Sequence, residues 1–569
     1  MNDLIIENGT IIDGTGSPRK IANISVKDGK ITEVGNVSGP ATRIIDAKDK
    51  LVSPGWVDIH THYDGQATWD SYLTPSSWHG VTTAVFGNCG VGFAPVKKGT
   101  EEYLINLMEG VEDIPGSVLS EGINFTWESF PEYIDALEKK SRIMDIGTQI
   151  PHAALRFYVM GERGVNHQER PSQDEIEKMT LLVEEALNAG ALGISTSRTT
   201  KHKSADGTLT PSLSADDKEL AGIAEGLKRA NAGLIQCNSD MGSGEMELLI
   251  QAAQYSKQPL SVLLIQYNEC PDRWRDTLSY IKKANSLGVK TTGQVGSRPI
   301  GVVMGFNTSV NPFSSHKEWK YLKSLNSVER MQLIKNNPEV QKKLISEVPE
   351  NNHTKWINNA FKRTFKLEEP LNYEPIEDES IYNIAKKHNK SPWYIVLDHF
   401  LNGKYKDNFL MHTFENYSEN SLDVIEEMLL SEETICGVGD AGAHVATICD
   451  ASYPTFMVPF WSRDRKRGKL INLEYLISKQ TFKTANTFGL HDRGALLPGM
   501  KADINIIDYD NISVTMPSLS YDLPTGGKRL IQKSVGYDHT FVSGVEVSNK
   551  GEFTGKLPGK VIRGSQKAN

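Results

Sequence analysis

A chain of 569 residues, 38% hydrophobic and 23% charged, has material for a large core and for more than one domain. Its net charge is −9 with Lys and Arg scattered, which argues against a nucleic-acid footprint or a basic membrane-surface patch. No apolar run approaches the roughly 20 residues that span a bilayer, and the start lacks the basic-then-apolar pattern of a signal peptide. Five cysteines (Cys89, Cys237, Cys270, Cys436, Cys449) without CxxC spacing argue against a disulfide framework and for a reducing, cytoplasmic setting.

In chain order, the first fifty residues alternate short apolar runs with turn signals, as in "LIIENGTIIDG" and "ISVKDGKITEVG". Asn8-Gly9 and Asp28-Gly29 are hairpin signals. The last seventy residues read alike ("ADINIIDYD", "HTFVSGVEVSNKGEFTG"), so residues 1–54 and 490–569 are expected to form one small composite β-sandwich domain.

The middle alternates strands with helices. Candidate strands are 51–59, 81–87, 145–151, 190–196, 233–239, 259–267, 289–295 and 433–439. Amphipathic helices lie between them. "SQDEIEKMTLLVEEALNAG" opens with a capping box, Ser172 to Glu175, presents Ile176, Met179, Val183, Ala186 and Leu187 on one face, and stops at Gly190. "DRWRDTLSYIKKANSLG" repeats the scheme with Trp274, Leu278 and Ile281 inward. Eight strands with helical crossovers predict an α/β fold, a (β/α)8 TIM barrel over 55–489, with a mostly helical insertion at about 315–400 between the last two strands.

Active sites of such barrels lie at the carboxyl ends of the strands. The first strand runs into "DIHTH", and alternate strand side chains share a face, so His60 and His62 project together while Thr61 points away. Two imidazoles at that spacing either hold a metal ion or mark where a strand meets solvent. The second strand runs into "GNCGVGFAP", where Cys89 is a soft metal ligand or a small buried hydrophobe. The last strand ends in "GVGDAGAH", with Asp440 as turn residue or as metal ligand and proton acceptor, and His444 one turn on. Further polar groups at strand ends are Arg298 ("GSRPIG"), Arg198 ("STSRTTKHK"), and His152 ("IPHAALR") and His412 ("FLMHTFE"), each a further candidate ligand or a hydrogen-bonded wall residue. Either arginine could hold a substrate carboxylate bidentately, and His152 and His444 complete the candidate substrate-binding set.

Together, "PGWVDIHTH", "GVTTAVFGNCGVGFAP", "GVGDAGAH" and "DRGALLPGMKADINIID" resemble the amidohydrolase superfamily, and the Cys-containing turn is similar to its N-acyl-D-amino-acid deacylase (D-aminoacylase) branch. The resemblance covers nearly the whole chain. It implies hydrolysis of a small-molecule amide by metal-activated water, with His60, His62, Cys89 and Asp440 as zinc ligands and Asp440 also as general base. Acceptors for the outer ring nitrogens of the histidines would be Asp58 or Asp64.

The sequence departs from the family where strands 5 and 6 usually end in histidine: "GLIQCNSDM" and "LLIQYNEC" have none. Gln236, Cys237, Asn238 and Gln266 stand there as hydrogen-bond donors, with Cys237 a further candidate ligand. Strand 4 offers no lysine to bridge two metals. One catalytic zinc ion is therefore expected rather than two. The rival readings are a cyclic-amide (hydantoinase-like) hydrolase and a catalytically silent scaffold. Exposed β-domain edges make a homo-oligomer plausible, and neither nucleic acid nor a membrane is an expected partner.

Overall fold

The computed structural model describes residues 1–242 and 244–567. Eight parallel strands follow one another through the middle of the chain. Trp56–Asp58, Val81–Phe86 and Asp145–Thr148 pair in series. After Gln149 the third strand continues as Ile150–Pro151 and pairs with Ile194–Arg198, followed by Ile235–Ser239, Leu260–Leu263, Thr291–Val295 and Thr434–Cys436. Just beyond the strand ends, Thr61 bridges Ala441 in parallel. There the amide of His62 donates to the Ala441 carbonyl at 2.7 Å and that of Asp440 to the His60 carbonyl at 3.1 Å, so the last strand's extension is tied to the first.

These strands are buried along nearly their whole length, as parallel strands covered by helices must be. The crossovers behave as their sequences predict. Gln173–Ala189 starts on the Ser172–Glu175 capping box, buries Ile176, Met179, Val183, Ala186 and Leu187, and ends at Gly190 with φ 117°. Arg273–Ser286 buries Trp274, Leu278 and Ile281.

Both ends of the chain share one nine-stranded sheet, hydrogen-bonded continuously where two packed sheets were expected. Ile504–Ile507 lies between Leu51–Pro54 and Tyr537–Val542, pairing Ile506 with Val52 and Ile504 with Phe541. Leu4, Ile6, Ile24, Val26, Val52, Ile504, Ile506 and Phe541 form its core. Asp28 (φ 49°) and Gly29 (φ 74°) make the predicted hairpin turn. Asn8-Gly9 does not. A type I′ turn needs both residues left-handed, and here only Asn8 is (φ 61°), so the pair forms a bulge inside Asn2–Ile11.

The insertion is larger than its helices suggested. It opens with Ile300–Met304, which pairs antiparallel with Leu410–Glu415, itself paired with Thr364–Lys366. Five helices of seven or more residues, among them Ser327–Asn336 and Pro392–Asn402, pack on this sheet around Phe313, Trp319, Phe361, Trp393 and Phe400. Among the described residues, no helix is long and apolar enough to cross a membrane.

Candidate active site

His60 and His62 are fully buried at the end of the first strand, while the Thr61 hydroxyl turns away to donate to the Val85 carbonyl at 2.9 Å. Strand alternation alone produces this split. Gln294, on Thr291–Val295, donates its amide to Ser261 Oγ at 3.0 Å, which turns its oxygen toward His60 Nδ1 at 2.6 Å. That network assigns the His60 proton to Nδ1 and leaves Nε2 facing Asp440 Oδ1 at 3.2 Å and Cys89 Sγ at 3.4 Å. His62 Nε2 faces the same Asp440 oxygen at 3.6 Å, and its Nδ1 faces Glu112 Oε1 at 3.4 Å. Burial pushes the His62 pKa down to about 4, so the ring is neutral at pH 7.

Cys89 reaches the histidines through a strained turn. Its φ is 54° and that of Gly90 is 70°. A Cβ at Gly90 would lie 2.7 Å from the Ser197 nitrogen, so only glycine lets the turn press against Ile194–Arg198. The amides of Cys89 and Gly90 donate to Gln236 Oε1 at 3.0 Å and Ser195 Oγ at 2.9 Å. Burial, and then the Glu112 and Asp440 charges, push the thiol pKa well up. Only a cation would make a thiolate there.

Asp440 also sits in left-handed backbone (φ 45°), as do Val438 (φ 62°) and His444 (φ 47°). Such strain persists only where surrounding structure holds it, and it concentrates at functional sites. Burial raises the Asp440 carboxyl, but His62, His60 and His444 outweigh it, and its pKa lies below the usual carboxylate range.

A metal fits this donor set. Ligand atoms of His60, His62 and Cys89 all lie within 4.8 Å of one another. His62 Nε2 and Asp440 Oδ1 are buried without a hydrogen-bond partner, an unfavourable state that coordination would relieve. Asp58 and Asp64 are not the ring acceptors. Asp58 accepts from the His60 amide at 3.1 Å and Asp64 from the Gly87 amide at 3.3 Å, and burial lifts each carboxyl to about 7. The groups facing the outer ring nitrogens are Gln294 and Glu112.

A profile of the amidohydrolase family matches residues 43–548. The chain belongs to the amidohydrolase family. It is 34% identical over 195 residues to a D-aminoacylase of Alcaligenes xylosoxydans xylosoxydans, a stretch spanning 34% of this chain and 37% of that protein. An N-acyl-D-glutamate deacylase of the same organism is 23% identical over 577 residues, covering 99% and 96% of the two chains. In fold, the chain is similar to the crystal structure of N-acyl-D-glutamate deacylase from Bordetella bronchiseptica, at TM-score 0.64, 21% identity and 99% coverage of both chains. That structure is complexed with zinc and a phosphonate mimic of the tetrahedral intermediate.

The other predicted residues of this amidohydrolase divide sharply. Arg198 is taken up by Glu245, at 2.5 and 3.1 Å, and by the Ala215 carbonyl at 2.8 Å. His152 has both ring nitrogens engaged, with Thr196 Oγ1 and Glu219 Oε1 at 2.9 Å each, and Glu219 also pairs with Arg156. Both belong to the frame. Arg298 is buried over the Tyr373 ring, and its Nη2 donates to the Cys449 carbonyl at 3.1 Å and Asp450 Oδ1 at 3.3 Å; its Nε and Nη1 have no partner. His444 Nε2 faces Glu112 Oε2 at 3.5 Å. His412 lies in the insertion sheet, 3.4 Å from Thr364 Oγ1.

At the strand ends that lack histidine, Asn238 faces Cys89 Sγ at 3.9 Å and His202 Nε2 at 3.2 Å. Cys237, between Gln236 and Asn238 on the same strand, lies on the opposite face by strand alternation, with its Sγ donating to the Asn238 carbonyl at 3.4 Å. Gln266 accepts from the Ser418 amide at 3.1 Å and donates to the Pro271 carbonyl at 3.3 Å, which occupies it in anchoring the insertion. Sequence reasoning missed Glu112, Gln294 and His202. Gln294 lies inward by strand alternation, and His202 stands four residues after Arg198. Glu112 carried one signal: an acid in the last turn of Glu101–Glu112 opposes the helix dipole.

Proposed function

We propose that this amidohydrolase removes the acyl group from N-acyl-D-amino acids at a single-metal centre held by His60, His62, Cys89 and Asp440. The observation that carries the reading is the convergence of these side chains with His62 Nε2 and Asp440 Oδ1 unpartnered. The zinc-containing deacylase of similar fold and the D-aminoacylase resemblance support the substrate class. Four facts support one ion: Gln236 and Gln266 are engaged elsewhere, Cys237 faces away, and Asn238 is an amide.

We read the eight parallel strands as a (β/α)8 barrel closed through Thr61 and Ala441, with residues 1–54 and 490–569 as a β domain beside a 55–489 catalytic body. A bound divalent ion supplies Lewis acidity, making water nucleophilic near neutral pH and polarising an acyl carbonyl. Asp440, ionised at pH 7, accepts the proton of the attacking water and returns it to the amide nitrogen as the C–N bond breaks. The products are the acyl carboxylate and the free amino acid. His62 stays neutral, and the two rings are oriented from their outer edges by Gln294 and Glu112. Arg298, with two unpartnered nitrogens, is the group we assign to the substrate carboxylate, and the five free cysteines suit a reducing cytoplasm.

A panel of N-acetyl-D- and L-amino acids, run beside metal analysis of the same protein, tests the reading. The expected result is about one zinc per chain and turnover of D substrates. A metal-free protein, or a metal-loaded one inert on the whole panel, would sink it.

A further inference from the structure

Glu112 is a carboxyl group where none is cheap: burial, then the Asp440 and Asp64 charges, push its pKa well up. It is 2% exposed, at the end of the helix that follows the second strand. Its Oε1 has no hydrogen-bond partner, and neither does His62 Nδ1, which lies 3.4 Å away. One is an acceptor, the other a ring nitrogen that becomes a donor when it carries the imidazole proton. Each is the complement the other lacks. Its second oxygen faces His444 Nε2 at 3.5 Å, and its main-chain carbonyl accepts from the His444 amide. The next residue, Asp113, accepts from the Thr447 and Ser309 hydroxyls. Glu112 and Asp113 thus tie the turn carrying Asp440 to the second-strand helix and to the insertion.

We propose that Glu112 is the positioning residue of the centre, holding His62 with its proton on Nδ1 so that Nε2 faces inward as a ligand. This rests on the single-metal reading. Glu112 acts through His62 and is not itself a ligand, because it faces the edge of the ring opposite Asp440. Gln294 holds His60 in the same sense. The two histidines would then present Nε2 by the same device from opposite sides of the site. Partners of this kind, when removed, cost metal affinity rather than fold.

The test uses the full chain and zinc alone, titrated against a chelator. Glu112→Leu keeps the volume and removes the acceptor; Glu112→Gln keeps an acceptor oxygen. The leucine variant should lose about 10–100-fold in zinc affinity. Its apoprotein should melt no lower than the wild type, since a buried polar group with an unpartnered oxygen has become apolar. The glutamine variant should recover most of the affinity. Zinc binding by the leucine variant within twofold of wild type would overturn the proposal, as would equal losses in both variants. Should the leucine variant not fold, ¹⁵N shifts of His62 in the wild-type apoprotein decide: the Nδ1–H tautomer supports the assignment and the Nε2–H tautomer refutes it. A wild type that binds no zinc would instead remove the single-metal reading, a separable result.

Discussion

Replacing Asp440 by Asn tests the proposed base while keeping its shape. Asp440 Oδ1 lies 3.2 and 3.6 Å from the inward nitrogens of His60 and His62, and Asn keeps that shape while losing the charge and the ability to take a proton. Its backbone is left-handed at φ 45°, a region Asn tolerates as readily as Asp, so the substitution adds no backbone strain. A positioned general base contributes about 10²–10⁴-fold. At roughly 1.4 kcal/mol per tenfold, the barrier should rise by about 3–5 kcal/mol. The assay is kcat/KM on an N-acyl-D-amino acid, with zinc content measured on the same preparation. Most of the loss should fall on kcat, because the proton moves only in the reacting complex. A zinc-loaded Asn variant that keeps more than a tenth of the wild-type rate would refute the assignment.

Cys89→Ala should lower zinc affinity while leaving the apoprotein folded; undiminished occupancy by metal analysis would return Cys89 to packing. Gly90→Ala should destabilise by about 2 kcal/mol or more, since φ 70° is left-handed and the new Cβ meets the Ser197 nitrogen at 2.7 Å. Zinc content should fall with the denaturation midpoint, because Cys89 rides on the same turn. His412 gives a pH prediction remote from the centre. Burial lowers its pKa from 6.5 to about 4, so below pH 6.5 the unfolded chain takes up a proton that the folded chain refuses. The stability this group supports is full above pH 6.5 and lost as pH falls toward 4, by up to about 3 kcal/mol. His412→Leu should therefore flatten the acid limb of a denaturation series, and parallel wild-type and variant curves would contradict it.

That His60 and His62 project together at the strand end was legible because period-2 alternation and strand position act within a few residues. The same holds for the Ser172–Glu175 cap, the Asp28-Gly29 turn and the apolar face of Gln173–Ala189. Asn8-Gly9 misled because the dipeptide tolerates a hairpin and a bulge alike, and pairing with Lys20–Lys27 chose between them. The local pattern of Arg198 suits a carboxylate clamp and a buried ion pair alike, and Glu245, 47 residues on, makes it the ion pair.

Local pattern was enough for the strand–helix alternation, the joint β region of the two ends and the motifs of the amidohydrolase family. Which nitrogen each histidine turns inward, and which arginine retains free donors, was settled in three dimensions. The histidine rings face Gln294 and Glu112, which are 234 and 50 residues away, and Glu245, 47 residues on, occupies Arg198. A side chain's propensity is written beside it in the chain. The partner that satisfies it in a water-free interior is selected by packing, and packing ignores sequence distance.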